Sequence, residues 1–394
     1  MRVLLTDADN RATLAAARSL RRAGHTVLAA GESRRSLAGL SRCCSTFVQS
    51  PSPTTAPQAF VDAMVAAASA HSVDVLLPMT EVTTLLLTEH RTRLPTSCRL
   101  PFADADAISL ASNKAAVMER ARHLGIPVPA TLIVPSSGSC AHFGSGLSFP
   151  IVVKPSRSRV LTHNGWIASR VSYASSEEQL NSMLEKLDPA VFPVLLQERV
   201  HGPGVGVFAC YCDGRPVALF SHRRLREKPP SGGVSVLSES TPLDPQAVSY
   251  ATRLLDDLGW HGVAMVEFKR DDRNGSLRLL EINSRFWGSL QLAINSGVDF
   301  PRIVVDSSAG RLREPVFNYR VGVRNRWLLG DLDALLSVLF RSRSSLNLPA
   351  GFPGRGRLLW DFLHFFGRDL HYEIWSLKDP RPGLLELGRW LTRR

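Results

Sequence analysis

The chain has 394 residues, of which 44% are hydrophobic and 21% charged. That is an ordinary balance for a globular protein, and the length is enough for two or three domains with cores of their own. A formal net charge of +12 favours anionic ligands or surfaces, but no dense Lys/Arg block interleaved with aromatics occurs, which argues against a nucleic-acid partner.

Other broad classes fall away on composition. No apolar run reaches the roughly 18 residues of a membrane span, and the opening MRVLLTDADN lacks the pattern of a secretory signal. A cytoplasmic location is expected. The six cysteines, Cys43, Cys44, Cys98, Cys140, Cys210 and Cys212, include no CxxC pair, so neither zinc nor a redox dithiol is indicated and reduced thiols are expected.

Residues 1–100 read as β-α-β-α-β. Strands are expected at 3–6, 25–30 and 73–78, with helices at 11–23 and 60–71. Alternation of this kind argues for a parallel α/β sheet. The first turn is Asp7-Ala8-Asp9-Asn10, with no glycine fingerprint for a dinucleotide. Ligands of such sheets lie beyond the C-terminal strand ends, which makes Asp7, Asp9, Arg11, Thr80 and Glu81 candidates. Helix capping is the competing role for Asp7, Asp9 and Thr80.

Residues 112–125 read as a capped helix carrying Lys114, ended by Ile-Pro-Val-Pro. A strand at 149–155 ends on Lys154. Another at 194–200 ends Gln197-Glu198-Arg199-Val200 and runs into glycines. Residues 205–212 and 216–221 form a hairpin turning at Asp213-Gly214. A helix is expected at 247–258.

Two apolar strands follow, GVAMVEFK and LLEINSRFWGSL, separated by the turn DRNG. Residues two apart in a strand share a face, so Glu281, Asn283 and Arg285 point the same way. Hairpin pairing would bring Glu267 beside Glu281. Two carboxylates and an amide oxygen suit a hard divalent cation, Mg²⁺ or Mn²⁺, held against phosphate. Carboxylates inside apolar runs are costly unless paired, which disfavours a solvated surface hairpin.

The ordered set of Lys114, Lys154, the QERV stretch and Glu267/Glu281/Asn283/Arg285 resembles the ATP-grasp superfamily. The style is that of its carboxylate–amine ligases, including carbamoyl-phosphate synthetase and biotin carboxylase-like members. The resemblance covers roughly residues 1–310 and is firmest over 112–295. It implies an α/β and α+β protein: a Rossmann-like parallel-sheet domain (1–105), a small ATP-grasp lobe with its linker helix (106–200), a large lobe (201–310), and a basic, aromatic-rich, mostly helical C-terminal extension (311–394).

By that resemblance Lys114 and Lys154 reach the ATP phosphates, and Gln197, Glu198, Arg199 and Val200 form the hinge at the adenine. Glu267, Glu281 and Asn283 hold the metal, with Arg285 and Lys154 as the catalytic cations. The segment HRRLREKPPSGG is similar to an Arg-rich stretch lining the acceptor site. It offers Arg223, Arg224 and Glu227, with Gly232 and Gly233 in a constrained loop.

Two departures stand out. The phosphate loop, residues 156–165, carries one glycine where several are usual, and Ser284 replaces a common proline. The implied activity is ATP-dependent activation of a carboxylate as an acylphosphate, with ADP formed, then attack by an amine to give an amide or peptide-like bond. A small-molecule kinase and a non-catalytic nucleotide-binding protein are the alternatives. Many relatives are homodimers. Phe365, Phe366, Trp375 and Trp390 in the extension suit either internal packing or a peripheral membrane or protein contact.

Overall fold

Val3, Leu4 and Leu5 have no exposed surface, so this short apolar run makes a central strand, β1 (Arg2–Leu5). The computed structural model of the protein describes residues 1–136, 146–162, 165–311, 314–346, 348 and 351–392. In it β1 lies between β2 (Thr26–Gly31) and β4 (Val75–Leu77), with β3 (Thr46–Gln49) outside β2. All four strands are parallel. The expected β-α-β-α-β pattern is present, with β3 added at an edge, where none of its residues is fully buried. Helices α1 (Arg11–Arg22), α2 (Leu37–Leu40), α3 (Pro57–Ala70) and α4 (Glu81–Glu89) connect the strands. Asn10 caps α1 through Ala12 N, and Thr80 caps α4 in a capping box with Thr83.

Helices α5 (Ala105–Ala111) and α6 (Lys114–His123) lead into an antiparallel sheet. Its order is β5 (Thr131–Val134), β10 (Val194–Glu198), β6 (Ile151–Pro155), β9 (Ser172–Ala174). Helix α7 (Glu177–Glu185) buries Leu180 and Leu184 against its face. Between β6 and β9 a separate hairpin, β7 (Arg159–Thr162) and β8 (Gly165–Ala168), occupies the expected phosphate-loop region. His163 and Asn164 lie outside the described residues, as does Cys140.

The next sheet runs β12 (Arg215–Phe220), β11 (Gly204–Cys212), β15 (Gly262–Arg270), β16 (Leu277–Asn283). Asp213 and Gly214 both have positive φ, the turn geometry that closes a tight hairpin. Helix α8 (Pro245–Asp257) and the linker helices α5 and α6 cover this sheet around the fully buried Trp260. Helices α9 (Leu290–Ser296) and α10 (Phe300–Ser308) follow and pack on α1. Phe286, Trp287, Leu290 and Phe300 thereby share a core with Leu20 and Val27 of the first sheet.

The Arg-rich segment is a strand, β13 (His222–Lys228), paired with β14 (Val234–Ser240); the constrained loop is confined to the turn at 229–233. The C-terminal region joins this sheet. β17 (Arg324–Arg326) pairs with β14, and β18 (Leu370–Tyr372) pairs in parallel with β17. Helices α11 (Leu328–Phe340), α12 (Arg355–Phe362) and α13 (Arg381–Thr392) complete the chain. The extension is thus a sheet-forming unit as well as a helical one. It returns to the first domain, where Asp379 accepts from Arg18 Nε at 3.0 Å, Ser41 Oγ at 2.7 Å and Arg42 N at 3.0 Å.

Candidate active site

The β15–β16 register places Glu267 directly opposite Glu281, with a bulge just after Glu267. Asn283, two residues on, donates its Nδ2 to Glu267 Oε1 at 3.2 Å and to Glu281 Oε1 at 3.3 Å. The three side chains converge, as the alternation predicted. Among the described residues no cluster of three or more His, Cys, Asp or Glu side chains suited to a metal occurs. The donor set here is two carboxylates and an amide, which fits a cation that also takes phosphate oxygens.

Four cations surround this pair. Lys114, at the first position of α6 and buried, approaches Glu281 Oε2 at 3.3 Å and donates to Ser158 Oγ at 2.9 Å. Lys154, near the end of β6, donates to Gln197 Oε1 at 2.7 Å. Arg224 reaches Glu267 Oε2 at 3.0 Å. Arg285 donates to Asn283 Oδ1 at 3.1 Å and to the Phe286 carbonyl at 2.8 Å.

The charges reset one another's proton affinities. Burial raises the Glu267 carboxyl, against the opposing pull of Arg224, and the neighbouring Glu281 charge pushes it the same way. Burial would also raise Glu281, but Lys114 and Lys154 together outweigh it and hold Glu281 below the ordinary glutamate value. Lys154 is brought down to about 8, first by burial and then by the Lys114 and Lys269 charges, with Glu281 and Glu267 opposing. Two facing carboxylates and a lysine of lowered proton affinity fit a site shaped for a cation and a polyanion.

The expected hinge residues each have protein partners. Gln197 is buried, and its amide also donates to Thr131 Oγ1 at 2.9 Å, so its side chain steers Lys154. Glu198 N is bonded to Ala130 O at 2.9 Å, and the Glu198 carboxylate pairs with Arg273. Arg199 stacks over Tyr173 at 5.2 Å, and Val200 O accepts from Lys269 Nζ at 3.2 Å.

Beyond Arg285 opens a cleft of about 960 Å³. Glu81 and Arg285 line both this cleft and the small pocket holding Lys114, Ser158, Glu281 and Asn283. The strand-end candidates Asp7, Asp9, Arg11, Thr80 and Glu81 all line it. Asp7 has φ +54° and accepts from Thr6 Oγ1 at 2.5 Å, Thr83 Oγ1 at 2.7 Å and Thr80 Oγ1 at 3.2 Å. Burial raises its carboxyl despite those hydroxyls. Arg11 pairs with Glu373 and lies 3.9 Å from the centre of the Trp327 ring.

The Arg-rich strand touches that cleft only behind its wall, where Lys228 pairs with Asp333. Arg223 pairs with Glu239 at 2.6 Å, and Arg224 bridges Glu227 and Glu267. Arg224 and Glu227 face a smaller apolar cavity beside α11 and α12. Gly232 and Gly233 sit in the turn, where a Cβ on Gly233 would come within 2.4 Å of Lys228 O. The cleft's far wall is built by Trp327, Asp333, Glu386, Arg389 and Trp390. These residues come from opposite ends of the extension, and of them only Trp390 was singled out by its sequence, as an aromatic suited either to internal packing or to a peripheral contact.

Residues 191–329 match a family model described as ATP-grasp in the biosynthetic pathway with Ter operon. The fold is ATP-grasp. Solved structures of the same fold include L-amino acid ligase from Bacillus licheniformis, with a TM-score of 0.59 at 16% identity over 79% of this chain and 76% of that one. N5-carboxyaminoimidazole synthetase from Staphylococcus aureus gives 0.63 at 14% identity over 86% and 85%. Biotin carboxylase from Campylobacter jejuni gives 0.61 at 14% identity over 82% and 74%. No curated protein sequence matches the chain. The facing glutamates lie on the β15–β16 hairpin, within the residues matched by that model.

Proposed function

We propose that the protein is an ATP-dependent carboxylate–amine ligase. The observation that carries this reading is the facing pair Glu267 and Glu281, joined by Asn283, ringed by Lys114, Lys154 and Arg285, and opening into a cleft large enough for organic substrates. The three solved structures named above include two whose names state a ligase or synthetase. Glu267, Glu281 and Asn283 would hold Mg²⁺ or Mn²⁺, which neutralises phosphate charge when bound.

Each residue then has a task set by charge. Lys114 and Lys154 bind the polyphosphate as point charges. Gln197, with Thr131, fixes the Lys154 ammonium. Arg285 lies where both pockets meet, so its guanidinium stabilises the phosphoryl group as it passes to the substrate carboxylate. A carboxylate oxygen attacks the γ-phosphorus and ADP leaves. The amine nitrogen then attacks the acyl carbon, phosphate leaves, and the nitrogen gives up its proton. Positioning and charge neutralisation suffice, and no side-chain nucleophile is required. The test is dual-substrate dependence: ADP and free phosphate should appear only when an acid and an amine are both supplied.

A second reading concerns partners. Trp360, Leu363 and Phe366 are 67%, 54% and 95% exposed, beside the exposed Arg357 and Arg368. Exposed aromatics beside arginines suit the face of an anionic bilayer. Full-length protein should float with phosphatidylserine vesicles, and a Trp360→Glu, Phe366→Glu double variant should not. Equal flotation of the two would remove this reading.

A further inference from the structure

Amide formation releases a proton, and the residues that bind phosphate do not take it. When an amine nitrogen bonds to the acyl carbon it becomes cationic, and it must lose a proton for the adduct to collapse to an amide. A group that takes this proton has to stand where the phosphate pocket opens into the cleft. Two residues line both spaces, Arg285 and Glu81. A guanidinium donates and has no acceptor, which leaves the glutamate.

Glu81 is the first residue of α4, just beyond the C-terminal end of β4. Thr80 and Thr83 form the capping box beside it without using its carboxylate. The residue is half-buried, and its side chain has no hydrogen bond or ion pair among the described residues. The other acids at these two pockets are engaged or misplaced. Glu281 is held by Lys114 and Asn283, and Asp7 by three threonine hydroxyls. Asp9, Asp333 and Glu386 are held by Arg389, Lys228 and Trp327 in turn. Glu32 is exposed and lines the cleft alone.

We propose that Glu81 is the general base of the amide-forming step. The amine's lone pair forms the C–N bond, the carbonyl electrons move onto oxygen, and the Glu81 carboxylate accepts a proton from the cationic nitrogen. Collapse of the adduct restores the carbonyl and breaks the acyl C–O bond. The phosphate leaves with the proton, which returns Glu81 to its carboxylate. Arg285, at the same junction, draws the charge of the acylphosphate, so activation and attack take place between one cation and one base. The assignment deepens the ligase reading and rests on it.

Hydroxylamine separates the two half-reactions. It captures an acylphosphate as a hydroxamate and, being a much weaker base than an alkylamine, sheds its proton to water. Full-length protein is incubated with Mg-ATP and pooled straight-chain acids, dicarboxylic acids and N-acetyl-L-amino acids. One series receives hydroxylamine, the other ethanolamine, α,ω-diamines, L-amino acids and ammonium chloride. The wild type should give both hydroxamate and amide. Glu81→Gln should slow amide formation by about 10²–10⁴-fold, the usual contribution of a positioned base, and hydroxamate formation by less than about tenfold, so that the ratio of the two products rises. Glu81→Asp should recover part of the amide rate, and Mg-ADP should bind all three proteins alike. Equal amide rates in the wild type and Glu81→Gln, or an equal fall in both products, overturn the proposal. Neither product from a wild type that binds Mg-ADP would instead strike the ligase reading, and the proposal with it.

Discussion

Lys154 shows how a single residue ties the site to pH. Its ammonium sits at about 8 because burial and neighbouring lysines outweigh the glutamates. A bound polyphosphate favours the charged form, so nucleotide binding above pH 8 should take up a proton, and affinity should fall as pH rises through that value. Calorimetry at pH 8.5 in buffers of different ionisation heat should show uptake in the wild type and none in Lys154→Gln. The unliganded fold binds fewer protons at this residue than the unfolded chain does between about pH 8 and the ordinary lysine value. This residue therefore contributes a stability that rises with pH across that window. Arg285 gives a sharper kinetic prediction. Arg285→Met should lower kcat by about 10²–10³-fold, the usual cost of removing a transition-state charge partner, with little change in the Kd of Mg-ADP.

Within the elements, the most exacting packing surrounds Arg326. This β17 residue is 1% exposed; it donates to Asp331 Oδ2 at 2.6 Å and to the Phe362 carbonyl at 2.8 Å, under the Phe362 ring. Arg226 of β13 holds the same carboxylate at 2.5 Å. Asp331→Ala strands a buried guanidinium and should cost about 3–5 kcal/mol, read as a lower urea midpoint. Little of this was legible in the sequence. β17 and β18 are the triplets Arg-Asn-Arg and Leu-His-Tyr, too short and polar to show alternation. β13 was hidden likewise, since its run of charged residues shows no apolar alternation, and its arginines find acids on other elements, Arg223 on Glu239, Arg224 on Glu267 and Arg226 on Asp331. The β15–β16 hairpin was legible because apolar alternation and a turn sequence fall together there, and that was enough to place Glu267, Glu281, Asn283 and Arg285 on one face.

At the scale of the molecule, the C-terminal region behaves as structure rather than appendage. It closes one edge of the β13–β14 sheet, clamps α1 through Arg18–Asp379, and supplies the far wall of the cleft. A chain ending near residue 310 should therefore lose cooperative unfolding, which calorimetry would show as a broadened or absent transition. Membrane binding has to be tested by point variants in the full chain. The cleft itself could not be read from sequence, because Asp9 meets Arg389 and Arg11 meets Glu373 across more than three hundred residues. Such contacts leave no local periodicity.

The central claim is that facing glutamates and an adjoining cleft serve acyl activation by ATP. It is tested most directly by quantifying nucleotides and phosphate after incubation with Mg-ATP and pooled acids and amines. The account predicts ADP with an equal amount of free phosphate, dependent on both an acid and an amine and abolished in Glu281→Gln. Formation of AMP, or of ADP with the phosphoryl group retained on the product, would contradict it.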